Sequence, residues 1–293
     1  MKRVLVYLST YNGEKYLRPL LDSVLAQEGV AVDLYVRDDG SKDSTLKILS
    51  EYAEKSDSIR IEIGGNVGYA KSFWKLFGHE NEYDYYAFCD QDDIWLKDKL
   101  SRAVELLERE EQSLPLLYTS DVTAVNNELE IIDDRLFKVE GTLNFYQSLQ
   151  KSIVPGCTFV FNREAFAVLR QYNGYMESHD WAAYCIVTAF GKIIFDNTTH
   201  IYYRMHGQNT IGKTSRFNDF AKKLTRFFHA PLRVRSRFAK DFYDCYHESL
   251  QSDYADAARA LGYYRIDKKK NRILMSKKFK GLTFKILVLL GRV

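Results

Sequence analysis

Apolar residues follow two rhythms along the first 125 positions. Runs of strand length, RVLVYLS, VDLYVRD, IRIEIGG, YYAFCD and LLYTSDV, alternate with stretches whose apolar positions recur every three or four residues. Those stretches are EKYLRPLLDSVLAQ, STLKILSEYAEK, YAKSFWKLFGHE and the span from about Lys97 to Glu111. A strand apolar almost throughout is buried on both faces, and a helix with one apolar stripe is suited to cover it. The alternation therefore predicts an α/β chain with a mainly parallel sheet and helices on both faces. In such sheets ligands bind beyond the carboxyl ends of the strands. Three polar clusters fall there: STYNGE (9–14), RDDGSKDST (37–45) and DQDD (90–93). Folding is expected to gather them at one edge, although the outer two are about 80 residues apart.

The chain's 293 residues suffice for one large α/β domain with a helical appendage. The opening MKRVLVYLST meets polar residues after about six apolar ones, short of the roughly 7–15 of a signal peptide, and reads as a strand. Cys89, Cys157, Cys185 and Cys245 form no CxxC pair, which indicates neither a zinc site nor a disulfide framework and fits a reducing cytoplasm. The net charge of +3 hides an asymmetry. Residues 213–293 hold 20 Lys and Arg against 7 Asp and Glu, a net of +13, which leaves −10 on residues 1–212. An acidic catalytic body (1–212) and a basic helical region (213–293) that meets something anionic are expected.

The acidic body has its chemistry in short motifs. In RDDGSKDST, Asp38, Asp39 and Gly40 make a turn, Ser41 or Asp43 can cap the next helix, and a carboxylate can accept from a base N–H or a ribose hydroxyl. In AFCDQDDIWL, Asp90, Asp92 and Asp93 are pressed between apolar residues, where like charges repel and desolvation is costly. A helix cap needs one carboxylate; a hard divalent cation such as Mg²⁺ or Mn²⁺ uses more, together with substrate phosphates. Without its ligand this loop is expected to be strained or mobile. SHDWAAY (178–184) opens a helix ending near Phe190, with Ser178 or Asp180 as its cap and Asp180 also placed to act as a general base. In IYYRMHGQN, Arg204 and His206 share one face of a strand-like stretch, fit for phosphate and metal. GQNTIGKT (207–214) satisfies GxxxxGK[ST], the phosphate loop of nucleotidases and kinases, but no later apolar strand ending in Asp accompanies it.

STYNGEKYL, RDDGSKDST, NVGY (66–69), FCDQDDIWLKDKL, HDW and YRMHGQN, in this order, resemble the inverting family 2 glycosyltransferases over about residues 3–212. DQDDIW, HDW and YRxH together are similar to that family's bacterial rhamnosyltransferases, which build capsule and cell-wall polysaccharides. The resemblance implies a GT-A fold, with a mixed, mostly parallel sheet. By the same resemblance Thr10 and Tyr11 frame the nucleotide base, and Asp39, with Asp38 close by, binds base or ribose. Asp90 and Asp92 match the DxD pair, Asp92 as the direct metal ligand. His206 completes the metal and diphosphate site with Arg204 nearby, Asp93 caps the next helix or orients the pair, and Asp180 is the catalytic base.

Two departures stand out. Ala182 and Ala183 replace an aromatic that many relatives have after HDW, which is expected to reshape the acceptor side. The QxxRW motif of processive synthases is missing, so one sugar per encounter is expected. The implied donor is dTDP-L-rhamnose, with a UDP-hexose as alternative, and the acceptor a lipid-linked glycan. A phosphate-loop nucleotidase or a non-catalytic sugar-nucleotide-binding protein are the readings from other classes.

In SRFNDFAKKLTRFFH (215–229), Phe217, Phe220, Ala221, Leu224 and Phe228 share a helical face away from Lys222, Lys223 and Arg226. The apolar stretch of LTFKILVLLGRV is far short of the ~20 residues that span a bilayer. Peripheral attachment to the anionic inner face of the bacterial membrane is expected, with a helix that only packs on the body as the alternative, and no nucleic-acid motif is present.

Overall fold

The computed structural model describes residues 1–78, 83–139, 143–206, 233–264 and 271–289. The first half alternates strand and helix as its apolar rhythm predicts. β1 (Lys2–Thr10), α1 (Glu14–Leu25), β2 (Val30–Asp38), α2 (Thr45–Ala53), β3 (Ile59–Ile63), α3 (Tyr69–Lys75) and β4 (Tyr85–Cys89) lead to a two-residue β5 (Ile94–Trp95) and α4 (Lys99–Glu108). β6 (Leu116–Val125), β7 (Ile131–Asp133), α5 (Phe145–Ser148), β8 (Val160–Asn162), α6 (Arg163–Leu169), α7 (His179–Phe190) and β9 (Lys192–Arg204) follow. Beyond them come α8 (Val234–Tyr246), α9 (Ser252–Gly262), α10 (Asn271–Leu274) and α11 (Leu282–Leu289).

The nine strands form one mixed sheet in the order β3-β2-β1-β4-β8-β6-β9-β5, with β7 on β6. β1 to β4, β6 and β9 run one way; β8, β5 and β7 run against them. β1 is parallel to both neighbours and covered on both faces, which explains the unbroken apolar run from Val4 to Leu8. Val4, Val6 and Leu8 face the layer of α1, α2 and α4; Leu5 and Tyr7 face α3, α6 and α7. α1 shows the code plainly, burying Leu17, Leu20, Leu21 and Val24 at helical spacing.

β9 begins nine residues before the strand-like stretch read from the sequence, because the polar Asp196, Asn197 and Thr198 interrupt its pattern beside a register shift against β6. The helix expected from Lys97 starts at Lys99, since Leu96 is held to β9 through its N–H bond to the His200 carbonyl. Phe238, Phe242 and Tyr246 of α8 and Ala257, Ala258 and Leu261 of α9 join the cluster that contains Leu5 and Tyr7, so these helices pack directly on the α/β layers. No helix of the described residues is long and apolar enough to cross a membrane. The phosphate-loop match 207–214 and the amphipathic stretch 215–229 lie outside the described residues.

Candidate active site

The three polar clusters do meet, at the carboxyl ends of β1, β2 and β4. Gln91 accepts from the Tyr11 N–H (2.9 Å) and donates to the Tyr11 carbonyl (3.1 Å), tying the first cluster to the third. The Asn12 N–H donates to Ser41 Oγ (2.9 Å) and Asn12 Oδ1 accepts from the Lys42 N–H (2.8 Å), tying the first to the second. Asn12 takes a left-handed backbone (φ 48°), a conformation Asn tolerates better than most residues. A Cβ on Gly13 would stand 2.5 Å from Gln91 Oε1, so the bridge needs glycine there. Beside these loops opens a cavity of about 470 Å³ whose walls include Tyr11, Asp39, Asp90, Asp92, His179 and Asp180.

On the side formed by β1 and β2, the carboxylates are already bonded. Asp38 is fully buried and accepts from Thr10 Oγ1 (2.9 Å), the Gly40 and Ser41 N–H groups (3.1 and 2.8 Å) and Ser41 Oγ (2.5 Å). Asp39 accepts from Arg37 Nη1 (2.5 Å) and from the N–H groups of Val67 (3.0 Å) and Gly68 (2.9 Å). Arg37 is itself 1 % exposed and also donates to Ser72 Oγ (2.8 Å) and the Gly65 carbonyl (3.2 Å). Thr10 and Asp38 therefore brace the loop from beneath instead of lining the cavity, because alternation puts Ser9 on the cavity side and turns Thr10 away. Tyr11 and Asp39 do reach the wall. Neither Ser41 nor Asp43 is the N-cap of α2; Ser44 holds that position, and Asp43 accepts from both the Thr45 and Glu14 N–H groups (3.0 Å each).

The DQDD side is the reverse. Asp90 and Asp92 line the cavity, and no hydrogen bond to the Asp90 carboxylate exists among the described residues. Burial first, then the charges of Asp92 and Asp180, push its carboxyl above the usual range. Asp93 is 1 % exposed, accepts at Oδ1 from the Arg204 N–H (3.1 Å), and leaves Oδ2 buried with no hydrogen-bond partner. It does not cap α4, whose N-cap is Asp98. His206 Nε2 lies 2.6 Å from Asp92 Oδ2, and its ring stacks on Tyr16. Arg204 is 4 % exposed and donates to the Asp92 carbonyl (3.0 Å) and the Asn127 carbonyl (2.7 Å), clamping the loop. None of residues 90–93 has a positive φ, so the crowding in DQDD is one of charge and burial.

These donors suit a hard divalent cation. Asp90, Asp93 and Cys157 each place a ligand atom within 4.8 Å of the others, and the orphaned Asp93 oxygen is the kind of buried acceptor that a cation satisfies. Burial holds the Cys157 thiol protonated, and hard cations prefer oxygen, so the carboxylates are the fitting part of this set. Besides Arg204, the fold supplies a buried counter-charge in Lys99, 1 % exposed, which sits 3.6 Å from the centre of the Trp95 ring. Burial lowers its pKa to about 8, against the pull of Cys89, Cys157 and Asp93.

The opposite wall is the start of α7. Ser178 is its N-cap, accepting from the Trp181 N–H, while Asp180 in the first turn accepts from the same N–H at Oδ1 (2.8 Å) and faces the cavity. A Cβ on Gly156 would stand 2.4 Å from Asp180 Cβ, so that glycine makes room for Asp180. Trp181 turns inward, donating from Nε1 to the Ser148 carbonyl (2.6 Å) and packing on Phe238 of α8. Ala182 and Ala183 are fully buried in the core and do not line the cavity. Sequence reasoning assigned nothing to His179. Its ring is 4 % exposed, stacks on Phe73 at 3.8 Å, lines the cavity, and has no hydrogen-bond partner for either nitrogen. Burial lowers its pKa to about 4, so the ring is neutral at pH 7. Gln91, Asn66 and Tyr69 were missed as wall residues too, although the NVGY and DQDD motifs contain them.

Comparison with known proteins agrees with this geometry. Residues 5–170 match the family model of glycosyl transferase family 2. The dTDP-rhamnosyl transferase RfbG of Shigella flexneri is 30% identical over 233 residues, 74% of this chain and 78% of that protein. The putative teichuronic acid biosynthesis glycosyltransferase TuaG of Bacillus subtilis is 26% identical over 175 residues, covering 58% and 66%. Among solved structures, S. aureus TarS 1–349 in complex with UDP-GlcNAc superposes with a TM-score of 0.56 at 16% identity, covering 100% of this chain and 93% of that one. The mannosyltransferase PcManGT from Pyrobaculum calidifontis in complex with GDP-Man and Mn²⁺ gives 0.52 at 14%, covering 99% and 87%. At such identities the structural likeness shows the fold alone. With the matching model spanning more than half of its length, the chain belongs to glycosyl transferase family 2, as an enzyme of the GT-A fold.

Proposed function

We propose that this glycosyltransferase moves L-rhamnose from dTDP-L-rhamnose, with inversion, onto a lipid-linked glycan destined for cell-wall or capsular polysaccharide, at the cytoplasmic face of the membrane. One observation carries the reading: Asp180 faces Asp90 and Asp92 across a single cavity that also takes in Asp39 and Tyr11. In this assignment Tyr11 and Asp39 receive the nucleoside. Asp90, Asp92 and His206, with the buried Asp93 oxygen beside them, would hold a divalent cation, Mg²⁺ or Mn²⁺, which when bound supplies positive charge to the departing diphosphate. Asp180 Oδ1 is engaged by the Trp181 N–H, which leaves Oδ2 to take the proton of the acceptor hydroxyl. The acceptor oxygen then bonds to the anomeric carbon as the carbon–oxygen bond to the diphosphate breaks, and the electron pair leaves with the nucleoside diphosphate. No enzyme nucleophile enters. The rhamnosyl donor is supported by the 30% identity to RfbG.

A donor panel tests this, reading thermal stabilisation and nucleotide release with dTDP-L-rhamnose and UDP-hexoses, each with Mg²⁺ or Mn²⁺. Stabilisation by dTDP-L-rhamnose above the UDP-sugars is expected; stabilisation by none of them would overturn the reading. Asp180→Asn is expected to keep donor binding and lose transfer at least about 100-fold, the span of general-base assistance. Undiminished transfer would remove Asp180 from that role.

A further inference from the structure

A second cavity, of about 580 Å³, lies away from the first, between α5, α8 and the segment leading into α11. Its polar lining includes Asn144, Gln147, Lys151, Arg235, Lys278 and Lys280, and among the described residues no carboxylate lines it. Among the described residues, Lys151, Arg235 and Lys280 enter no ion pair; Lys278 alone is matched, by Asp253 at 2.5 Å. Arg235 is half-buried and donates from Nε to the Gln150 carbonyl (2.7 Å), so its guanidinium is held in place at the wall. Lys151, Arg235 and Lys280, the three unmatched cations around this concavity, repel one another, and an anion entering it relieves that repulsion.

The far wall identifies the kind of anion. Phe284 and Leu287 of α11 line the cavity, while Leu282, Ile286 and Leu289, four and seven residues apart, form an outward stripe exposed by 76, 41 and 73 %. Phe284 and Val288 already anchor the helix to the core, so the stripe is surplus to folding. A cationic hollow flanked by an aliphatic stripe fits an amphiphile at a bilayer surface: phosphate in the hollow, aliphatic side chains at the acyl boundary. The hollow is also coupled to the active site. α5, which bears Gln147, presents the Ser148 carbonyl to Trp181 Nε1, next to Asp180. A headgroup held there would sit one short helix away from the proposed base.

We propose that this cavity seats the phosphate headgroup of an anionic membrane lipid, with the exposed stripe of α11 in the membrane interface. The inference deepens the membrane-side part of the proposed function and rests on it. The test uses the full chain in co-sedimentation with phosphatidylcholine vesicles and with vesicles containing phosphatidylglycerol. Each basic residue near an anionic leaflet contributes about fivefold to partitioning. The double variant Lys151→Glu, Lys280→Glu is therefore expected to lose at least about tenfold in partitioning to the anionic vesicles. Leu282→Ser with Leu289→Ser is expected to weaken binding to them as well. Thermal unfolding and transfer to a soluble acceptor are expected to be unchanged in both.

Unchanged vesicle binding by the charge variant would overturn the assignment of this cavity. Equal binding to neutral and anionic vesicles would overturn its chemistry, as would capture of a single-stranded oligonucleotide in place of the vesicles. If the parent sediments with anionic vesicles but transfers no sugar, the catalytic reading fails and the lipid site stands. Transfer without sedimentation removes the lipid site and leaves the catalytic reading in place.

Discussion

Two acidic clusters face the same cavity and have opposite constitutions. In the turn after β2, Asp38 and Asp39 together accept from Thr10, Ser41, Arg37 and four backbone N–H groups, so their charge is neutralised and solvated by the protein itself. In the loop after β4, among the described residues, the Asp90 carboxylate accepts nothing, the Asp92 carboxylate meets the His206 ring, and Asp93 has one buried oxygen with no donor stronger than the neighbouring Cys157 thiol. The first cluster is finished architecture; the second is an unsatisfied demand for positive charge, to which Lys99 beneath Trp95 contributes without meeting it. Carboxylate count in a sequence therefore says little about ligand binding. What matters is how many donors the fold returns to each oxygen.

The largest contrast should come from removing acid in the second cluster. Asp92→Asn is expected to abolish metal-dependent stabilisation by the nucleotide sugar and reduce transfer by at least about 10⁴-fold, since a cation supplies several kcal/mol to a departing diphosphate. Its unfolding free energy without ligand is expected to stay level or rise, because a like charge beside Asp90 is removed. A loss of ligand-free stability in chemical denaturation would show that Asp92 belongs with the finished cluster. Arg37→Ala probes the other side. It strands the buried Asp39 carboxylate, and a broken buried pair typically costs about 3–5 kcal/mol, here in stability and with no dependence on metal. Wild-type unfolding by that variant would mean that the Val67 and Gly68 N–H groups suffice to hold Asp39.

The sequence makes the sheet and the meeting of the three loops legible because central parallel strands are apolar throughout and end in polar turns. DQDD is legible for a related reason: three carboxylates between Cys89 and Ile94 have no place in a core without a partner. What stays hidden depends on pairing across long separations. Thr10 and Ser9 are equivalent in the sequence until register decides which faces the cavity. Arg204 sits in a motif that suggests phosphate, yet carbonyls 112 and 77 residues away capture its guanidinium. His179 precedes the predicted base and reads as a helix-start residue; only the packing of Phe73 and Phe88 around its ring makes it a wall of the site.

His179 offers the smallest and most discriminating test, because it is a neutral counterpart of the unsatisfied carboxylates. Burial lowers its folded pKa to about 4, whereas the unfolded chain titrates near 6.5. Between those values the unfolded state binds more protons, so the folded protein loses stability as pH falls from about 6.5 to about 4, by about 3 kcal/mol at the lower end. His179→Phe preserves the stack on Phe73 and removes two buried nitrogens that lack partners. Its stability at pH 7 should equal or exceed the parent's, and its loss between pH 6.5 and 4 should be smaller by that same amount. Transfer should nonetheless fall about tenfold if a ring nitrogen serves the bound ligand, as one hydrogen bond lost in a dry site would. Parallel pH profiles for the two proteins would show that the ring is protonated or solvated in the folded state, and full activity in the Phe variant would leave His179 as packing alone.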